Sequence, residues 1–196
     1  MYIDSNFWVK GIGLVLSGTI RGNPIKLNQT LFLGPINNKF IEFRVRSMHN
    51  NVREHVSELV DGQVGCIAIK FIGKEDIPRK LIIKGVLVFD NKKFIKNVSR
   101  KFKAEIQILH HSTTIRNNYQ PMLHCGPIRQ AARINIIENQ SMSTEKSEKS
   151  EKRLRTGGKA IVEFTFSFRS EFLEEGVSFF FRDGSTKGYG KILEVL

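Results

Sequence analysis

The chain has 196 residues, enough for one domain or for two of about 100 residues each. With 40% hydrophobic and 26% charged residues, it is neither disordered, collagen-like nor coiled-coil, but has the composition of an ordinary globular protein. Its 31 Lys+Arg against 19 Asp+Glu give a formal net charge of +12, which points to a polyanionic partner, because each cation set against a phosphate releases condensed counterions.

Strand-like runs follow one another along the chain at 14–20, 30–33, 64–69, 81–89, 102–109, 128–137, 177–181 and 189–195, with turn residues between them. Period-2 alternation is clearest where Ile41, Phe43 and Val45 interleave with Glu42, Arg44 and Arg46, and where Val162, Phe164, Phe166 and Phe168 interleave with Glu163, Thr165 and Ser167. Such segments predict half-buried strands. Only 52–60 has helix-like spacing, with Val52, Val56, Leu59 and Val60 at i, i+4, i+7 and i+8, and a structured loop fits it equally. The pattern predicts an all-β protein made of closed antiparallel sheets.

Two composition shifts divide the chain. Residues 90–101, DNKKFIKNVSRK, are polar and basic and fall near the midpoint, so the expected organisation is a barrel over 1–92, a connector over 93–101 and a second barrel over 102–196. Residues 139–152, NQSMSTEKSEKSEK, lack the apolar content to fold and are expected to be a flexible charged insertion within the second barrel. No apolar run of about 18 residues is present, and Met1-Tyr2-Ile3-Asp4 does not open a signal peptide. Nucleic acid therefore ranks ahead of membrane, and a soluble, cytoplasmic protein is expected.

The motifs that could carry catalysis are incomplete. Gly11-Ile12-Gly13-Leu14-Val15-Leu16 has Leu16 where a dinucleotide fingerprint needs its third glycine, and a strand rather than a helix follows. Gly157-Gly158-Lys159-Ala160 lacks the first glycine and the hydroxyl of a phosphate-cradling loop. His110-His111 and His124-Cys125 contain metal-ligand and nucleophile types, yet neighbours on a strand point to opposite faces, so packing or surface histidines are the ordinary reading. Cys66 and Cys125 lie in apolar segments, as small buried thiols do. Asp61, Glu75 and Asp183 pair with no second carboxylate for acid–base work. Basic residues interleave with aromatics over 40–46, 94–103 and 179–187, which on strands can set cations beside stacking rings.

The ordered text of the motifs carries a resemblance. Gly11-x-Gly13-x-Val15-x-Ser17-Gly18-Thr19-Ile20-Arg21-Gly22, Ile25-Lys26-Leu27-Asn28, Leu33-Gly34-Pro35, Val45-x-Ser47-Met48-His49, Gly62-Gln63-Val64-Gly65 and Lys84-Gly85-Val86-Leu87-Val88 resemble the second domain of the elongation factor Tu/1A class of translational GTPases. Phe102-x-Ala104-Glu105, Ile108-Leu109-His110-His111, Tyr119-x-Pro121-Met122-Leu123-His124-Cys125-Gly126, Leu154-Arg155-x-Gly157-x-Lys159-Ala160 and Phe181-Arg182-Asp183-Gly184-x-Thr186-x-Gly188-x-Gly190 resemble the third. The second set is particularly similar to the GTP-binding protein 1 and 2 subfamily.

The resemblance implies two β-barrels that clasp tRNA or another structured RNA and face the ribosome. It implies an acceptor-end pocket at Phe7, Gly13, Val15 and Ser47, with Ser47 where tRNA carriers commonly place a carboxylate and Ile12 where a basic residue is common. It also implies contacts to the RNA stem from His111, Arg182, Gly184 and Lys187, mostly to phosphate and 2′-hydroxyl. GTP and magnesium are expected only in a G domain that these residues do not encode, so no cofactor and no catalysis are expected of this chain. Two other readings stay open: a protein-interaction module that docks a G domain or an exchange factor, and a small zinc or thiol enzyme built on His111, His124 and Cys125. Neither membrane nor DNA is an expected partner.

Overall fold

Alternating apolar and polar residues on extended backbone leave one face of each strand in need of cover. A sheet that closes on itself buries that face and removes its own edges. The computed structural model describes residues 1–73, 77–140 and 153–196 and forms two compact units, Met1–Lys96 and Asn97–Leu196. Nearly all of the expected insertion lies outside the described residues; of its ends, Asn139 closes a strand and Gln140 is in a turn.

The first unit contains β1 (Tyr2–Val9), β2 (Gly13–Thr19), β3 (Ile25–Lys26), β4 (Thr30–Ile36), β5 (Lys39–Asn50), β6 (Glu58–Leu59), β7 (Val64–Phe71) and β8 (Leu87–Phe89). Six of these close into an antiparallel barrel in the order β1-β2-β7-β5-β4-β8, and β3 pairs with β6 beside it. Leu14, Leu16, Leu33, Ile41, Phe43, Val45, Met48, Ile67 and Ile69 fill its interior. Met48 breaks the odd-numbered parity of Ile41, Phe43 and Val45, and a β-bulge between Val45 and Ser47 explains it. One extra residue turns every later side chain to the opposite face.

The second unit contains β9 (Val98–Ser99), β10 (Lys101–His110), β11 (Ile115–Arg116), β12 (Met122–Cys125), β13 (Ile128–Asn139), β14 (Arg153–Leu154), β15 (Lys159–Phe166), β16 (Glu171–Phe172), β17 (Ser178–Asp183) and β18 (Thr186–Val195). Its barrel runs β10-β15-β13-β12-β17-β18. Phenylalanines dominate the interior: Phe102 stacks on Phe164 at 5.2 Å, and Phe179 meets both edge-on at 5.8 and 5.5 Å. Room for these rings comes from the facing strand, where Gly190 and Gly188 lie opposite Phe179 and Phe181. A methyl group on Gly188 would overlap the Phe181 ring.

The structure decides or alters several expectations. The segment 52–60, where helix and structured loop stood equal, takes the loop, with a bridge between His49 and His55 before β6. Of the run 81–89, only β8 is strand, preceded by a 3-10 turn at Arg79–Leu81 and by Gly85 at φ 104°. The expected connector, 93–101, contains the division between the two units, most of a 3-10 turn over Lys92–Asn97, and β9, which pairs with β16. Phe168 continues the alternation of β15 but lies beyond its end and is exposed.

One buried carboxylate sits beside this framework. Glu171 is 1% exposed, accepts a 2.7 Å hydrogen bond from Gln130 Nε2, and lies 2.9 Å from Arg169 Nε. Removal from water pushes its carboxyl above the ordinary range, against the pull of Arg169 and Gln130.

Two outcomes follow. Gly188→Ala should destabilise the second barrel by about 1–3 kcal/mol in urea unfolding through overpacking, with partial recovery in the Gly188→Ala/Phe181→Leu double variant; an unchanged midpoint refutes the close approach. For Glu171, the folded state holds the proton more tightly than the unfolded chain. Its contribution is therefore complete below about pH 4 and fades as pH rises through the raised value. Stability of the wild type minus that of Glu171→Gln should fall across this window, and a flat or rising difference contradicts the assignment.

Candidate nucleic-acid interface

On the outside of the first barrel, four neighbouring strands build a cleft of about 450 Å³. Phe7 of β1 is opposite Val15 of β2, Val15 opposite Ala68 of β7, and Ala68 opposite Ser47 of β5. Val15 and Ala68 are buried yet lie outside the core cluster that takes Leu14, Leu16 and Ile67. They form the cleft floor. The bulge in β5 is what turns Ser47 and His49 outward onto this floor, with His49 opposite Cys66. Phe7, Val15 and Ser47, expected from the sequence, therefore converge. Gly13 does not line the cleft; it is opposite Val9 at the β1–β2 hairpin, at φ 101°.

The far wall is the loop after β5, where the sequence reading did not single out Asn50 or Arg53 as site residues. Asn50 Oδ1 accepts hydrogen bonds from the backbone N–H groups of Val52 and Glu54 at 3.1 and 2.9 Å, while Asn50 Nδ2 donates to Glu54 Oε2 at 3.0 Å. This side-chain capture of backbone donors competes with a helix, and it explains why the helix-like spacing of 52–60 is not realised. Arg53 takes a left-handed conformation at φ 67° within the turn and lines the cleft with His49 and Asn50. His49 Nε2 and His55 Nε2 lie 3.2 Å apart. Among the described lining residues there is one arginine and no carboxylate. An asparagine two residues before a Val-Arg-Glu run is the turn signal that could have located Arg53.

In the second unit, three of the expected residues surround the β17–β18 hairpin. Arg182 and Lys187 are directly opposite each other, Met122 neighbours Arg182, His110 neighbours Lys187, and Gly184 turns the chain at φ 53°. Two cations in this relation repel, and neither has an ion-pair partner among the described residues. An anion between them would relieve that repulsion. Two residues along the same outer face stand Phe180 and Tyr189, 65% and 41% exposed.

His111 is committed to the protein itself. Its Nδ1 is 2.7 Å from Thr186 Oγ1, its Nε2 is 3.3 Å from Thr113 Oγ1, and its backbone N–H donates to Thr156 Oγ1. Tyr119 Oη donates to Asp183 at 3.1 Å and lies 3.0 Å from Thr186 Oγ1, so this network braces the hairpin. Cys125 belongs to the core, where burial and the nearby Glu174 push its thiol up to about 11. A thiol held protonated is a poor nucleophile. His124 faces the other way, and burial together with Arg182 and Arg129 holds its imidazole below the ordinary value. No cluster of three metal-ligating side chains occurs among the described residues.

The model of the elongation factor Tu C-terminal domain matches residues 95–196. The chain belongs to that family. It is 40% identical over 196 residues to GTP-binding protein 1 of Xenopus laevis, covering 99% of this chain and 27% of that protein. It is 32% identical over 194 residues to GTP-binding protein 2 of Homo sapiens, covering 98% and 29%. Elongation factor 1-alpha of Thermococcus celer is 24% identical over 165 residues, covering 82% and 38%. The chain thus spans between a quarter and two fifths of these curated relatives. A solved structure of sup35 complexed with GDP superposes with a TM-score of 0.75 at 21% identity, covering 100% of this chain and 47% of that one. The likeness shows the fold, and the elongation-factor C-terminal domain is the second barrel that carries the Arg182–Lys187 hairpin.

Proposed function

We propose that this chain is the RNA- and ribosome-facing part of a cytoplasmic, GTP-binding, elongation-factor-like protein. The first-barrel cleft takes the end of a tRNA or another structured RNA, and the second-barrel hairpin takes its backbone. The observation that carries this reading is the convergence of Phe7, Val15 and Ser47 on an outer-face cleft whose only lining charge, among the described residues, is the cation of Arg53. An apolar floor suits a base, a cation and a hydroxyl suit its sugar–phosphate, and a net charge of +12 supplies long-range attraction. Arg182 and Lys187 add a paired phosphate site.

Nucleotide hydrolysis is assigned to a separate G domain, which would hold GTP and magnesium; the relatives named as GTP-binding proteins are three to four times longer than the matched span. The residues of this chain are given no catalytic step. Among the described residues no helix is long and apolar enough to cross a membrane.

The test is tRNA affinity between about 50 and 200 mM salt. Six phosphate contacts give a log–log slope of roughly −4 to −5, and the Arg182→Ala/Lys187→Ala variant should flatten it by about 1.5. A slope near zero in the wild type removes RNA as the partner.

Exposed Phe180 and Tyr189 favour a second reading, docking against a G domain or an exchange factor, since large apolar rings on an outer face mark interaction surfaces. Calorimetry with a separate G domain separates the two. Tight, salt-insensitive binding that Phe180→Ser abolishes, with no retention of tRNA, selects docking; no heat of binding removes it.

A further inference from the structure

The end of β5 and the loop that follows it meet at a pair of imidazoles. His49 and His55 form an isolated antiparallel bridge. Backbone hydrogen bonds flank it, from the Asn50 N–H to the Glu54 carbonyl at 3.1 Å and from the Val56 N–H to the Met48 carbonyl at 3.2 Å. That pattern makes the two histidines a non-hydrogen-bonded pair, the kind whose side chains stand closest on one face of an antiparallel ladder. Their Nε2 atoms are 3.2 Å apart, and their ring centroids 3.9 Å. A hydrogen bond aligned with both nitrogens would hold the centroids roughly 5.5 Å apart. The rings therefore lie side by side, and a turn about χ2, a soft torsion in histidine, brings both lone pairs onto one point.

The spacing suits a shared metal ion. Two imidazole nitrogens bound at 2.0–2.1 Å to one tetrahedral ion stand roughly 3.3–3.4 Å from each other. Among the described residues neither ring makes another hydrogen bond. Nothing there fixes a proton on Nε2, so both rings can carry it on Nδ1 and present a lone pair at Nε2. The other histidines differ: both ring nitrogens of His111 are engaged, and His124 lies on the opposite face from Cys125. Asn50 shapes the turn between His49 and His55 without using either ring. Arg53 and Glu54, which lie in that turn, carry opposite charges.

We propose that His49 and His55 chelate one divalent transition-metal ion of the zinc or nickel type through their Nε2 atoms, with water in the remaining positions. Imidazole suits these ions, whereas magnesium and calcium prefer oxygen ligands. Cys66 is opposite His49 on β7, but no three metal-ligating side chains gather among the described residues. The protein thus supplies two ligands, and the ion is exchangeable. Its effect is mechanical: it ties the loop after β5 to the strand itself. This site stands independently of the RNA reading.

The experiment is isothermal titration of the whole chain with zinc chloride, with nickel, magnesium and calcium chlorides alongside, and then amide hydrogen exchange. Zinc should bind at one ion per chain and nickel should compete with it, while magnesium and calcium give no heat. His49→Gln and His55→Gln should each weaken zinc by roughly tenfold or more, since even an outer partner of a metal ligand is worth that much. His110→Gln, in the second unit, should leave binding unchanged. With zinc at ten times its Kd, exchange at residues 51–55 through openings that part the two rings should slow about tenfold, and His55→Gln should abolish the slowing. Far-UV circular dichroism of the variants separates loss of a ligand from loss of the fold.

No heat with zinc at about 1 mM, binding that survives both single substitutions, or exchange that zinc leaves unchanged overturns the site.

Discussion

Closure of each sheet is the constraint on which the rest depends. Once six strands form a barrel, every side chain is either interior or exterior, and parity along a strand decides which. A bulge is the means of changing parity without opening the sheet. The bulge between Val45 and Ser47 sends Met48 into the core and brings Ser47 and His49 to the outer face. Without that one extra residue Ser47 would point into the barrel and the cleft would lose part of its floor.

Closure has a second cost, which is volume. The second barrel packs Phe102, Phe164, Phe166, Phe179 and Phe181 into a single interior. Rings of this size fit only if some strand gives up its side chains, and β18 does so at Gly188 and Gly190. The glycines weaken local strand propensity, but tight aromatic packing contributes more, through burial and edge-to-face contacts. The same hairpin that carries these glycines inward presents Arg182, Lys187, Phe180 and Tyr189 outward. Its rigidity therefore comes from the core, and the network of His111, Thr186, Tyr119 and Asp183 secures its end.

What was legible in the sequence follows the same division. Alternation in Ile41, Phe43 and Val45, or in Val162, Phe164 and Phe166, reports burial directly, so the all-β architecture and most barrel strands could be read from it. Phe168 shows where this ends: it keeps the period but lies past the last ladder partner of β15 and is exposed. Bulges leave no period of their own, and so the facing of Ser47 came only through resemblance. The loop after β5 could be read either way from its spacing, which satisfies a helix, and Asn50 decides it by capturing the backbone donors a helix would need. Short ladders such as β9–β16 and β11–β14 have two residues per strand, too few for any period to register.

Within the cleft, floor and wall have different physical origins. Val15 and Ala68 are held by ladder hydrogen bonds on both sides, and changing their position means changing the barrel. Arg53 is held by one asparagine side chain and a left-handed backbone in an exposed loop, and a few substitutions there would alter its placement while leaving the sheet intact. Loops on a rigid scaffold are where recognition varies most readily. The shape of the cleft floor is therefore a property of the fold, whereas the charge at its wall belongs to this chain's own loop.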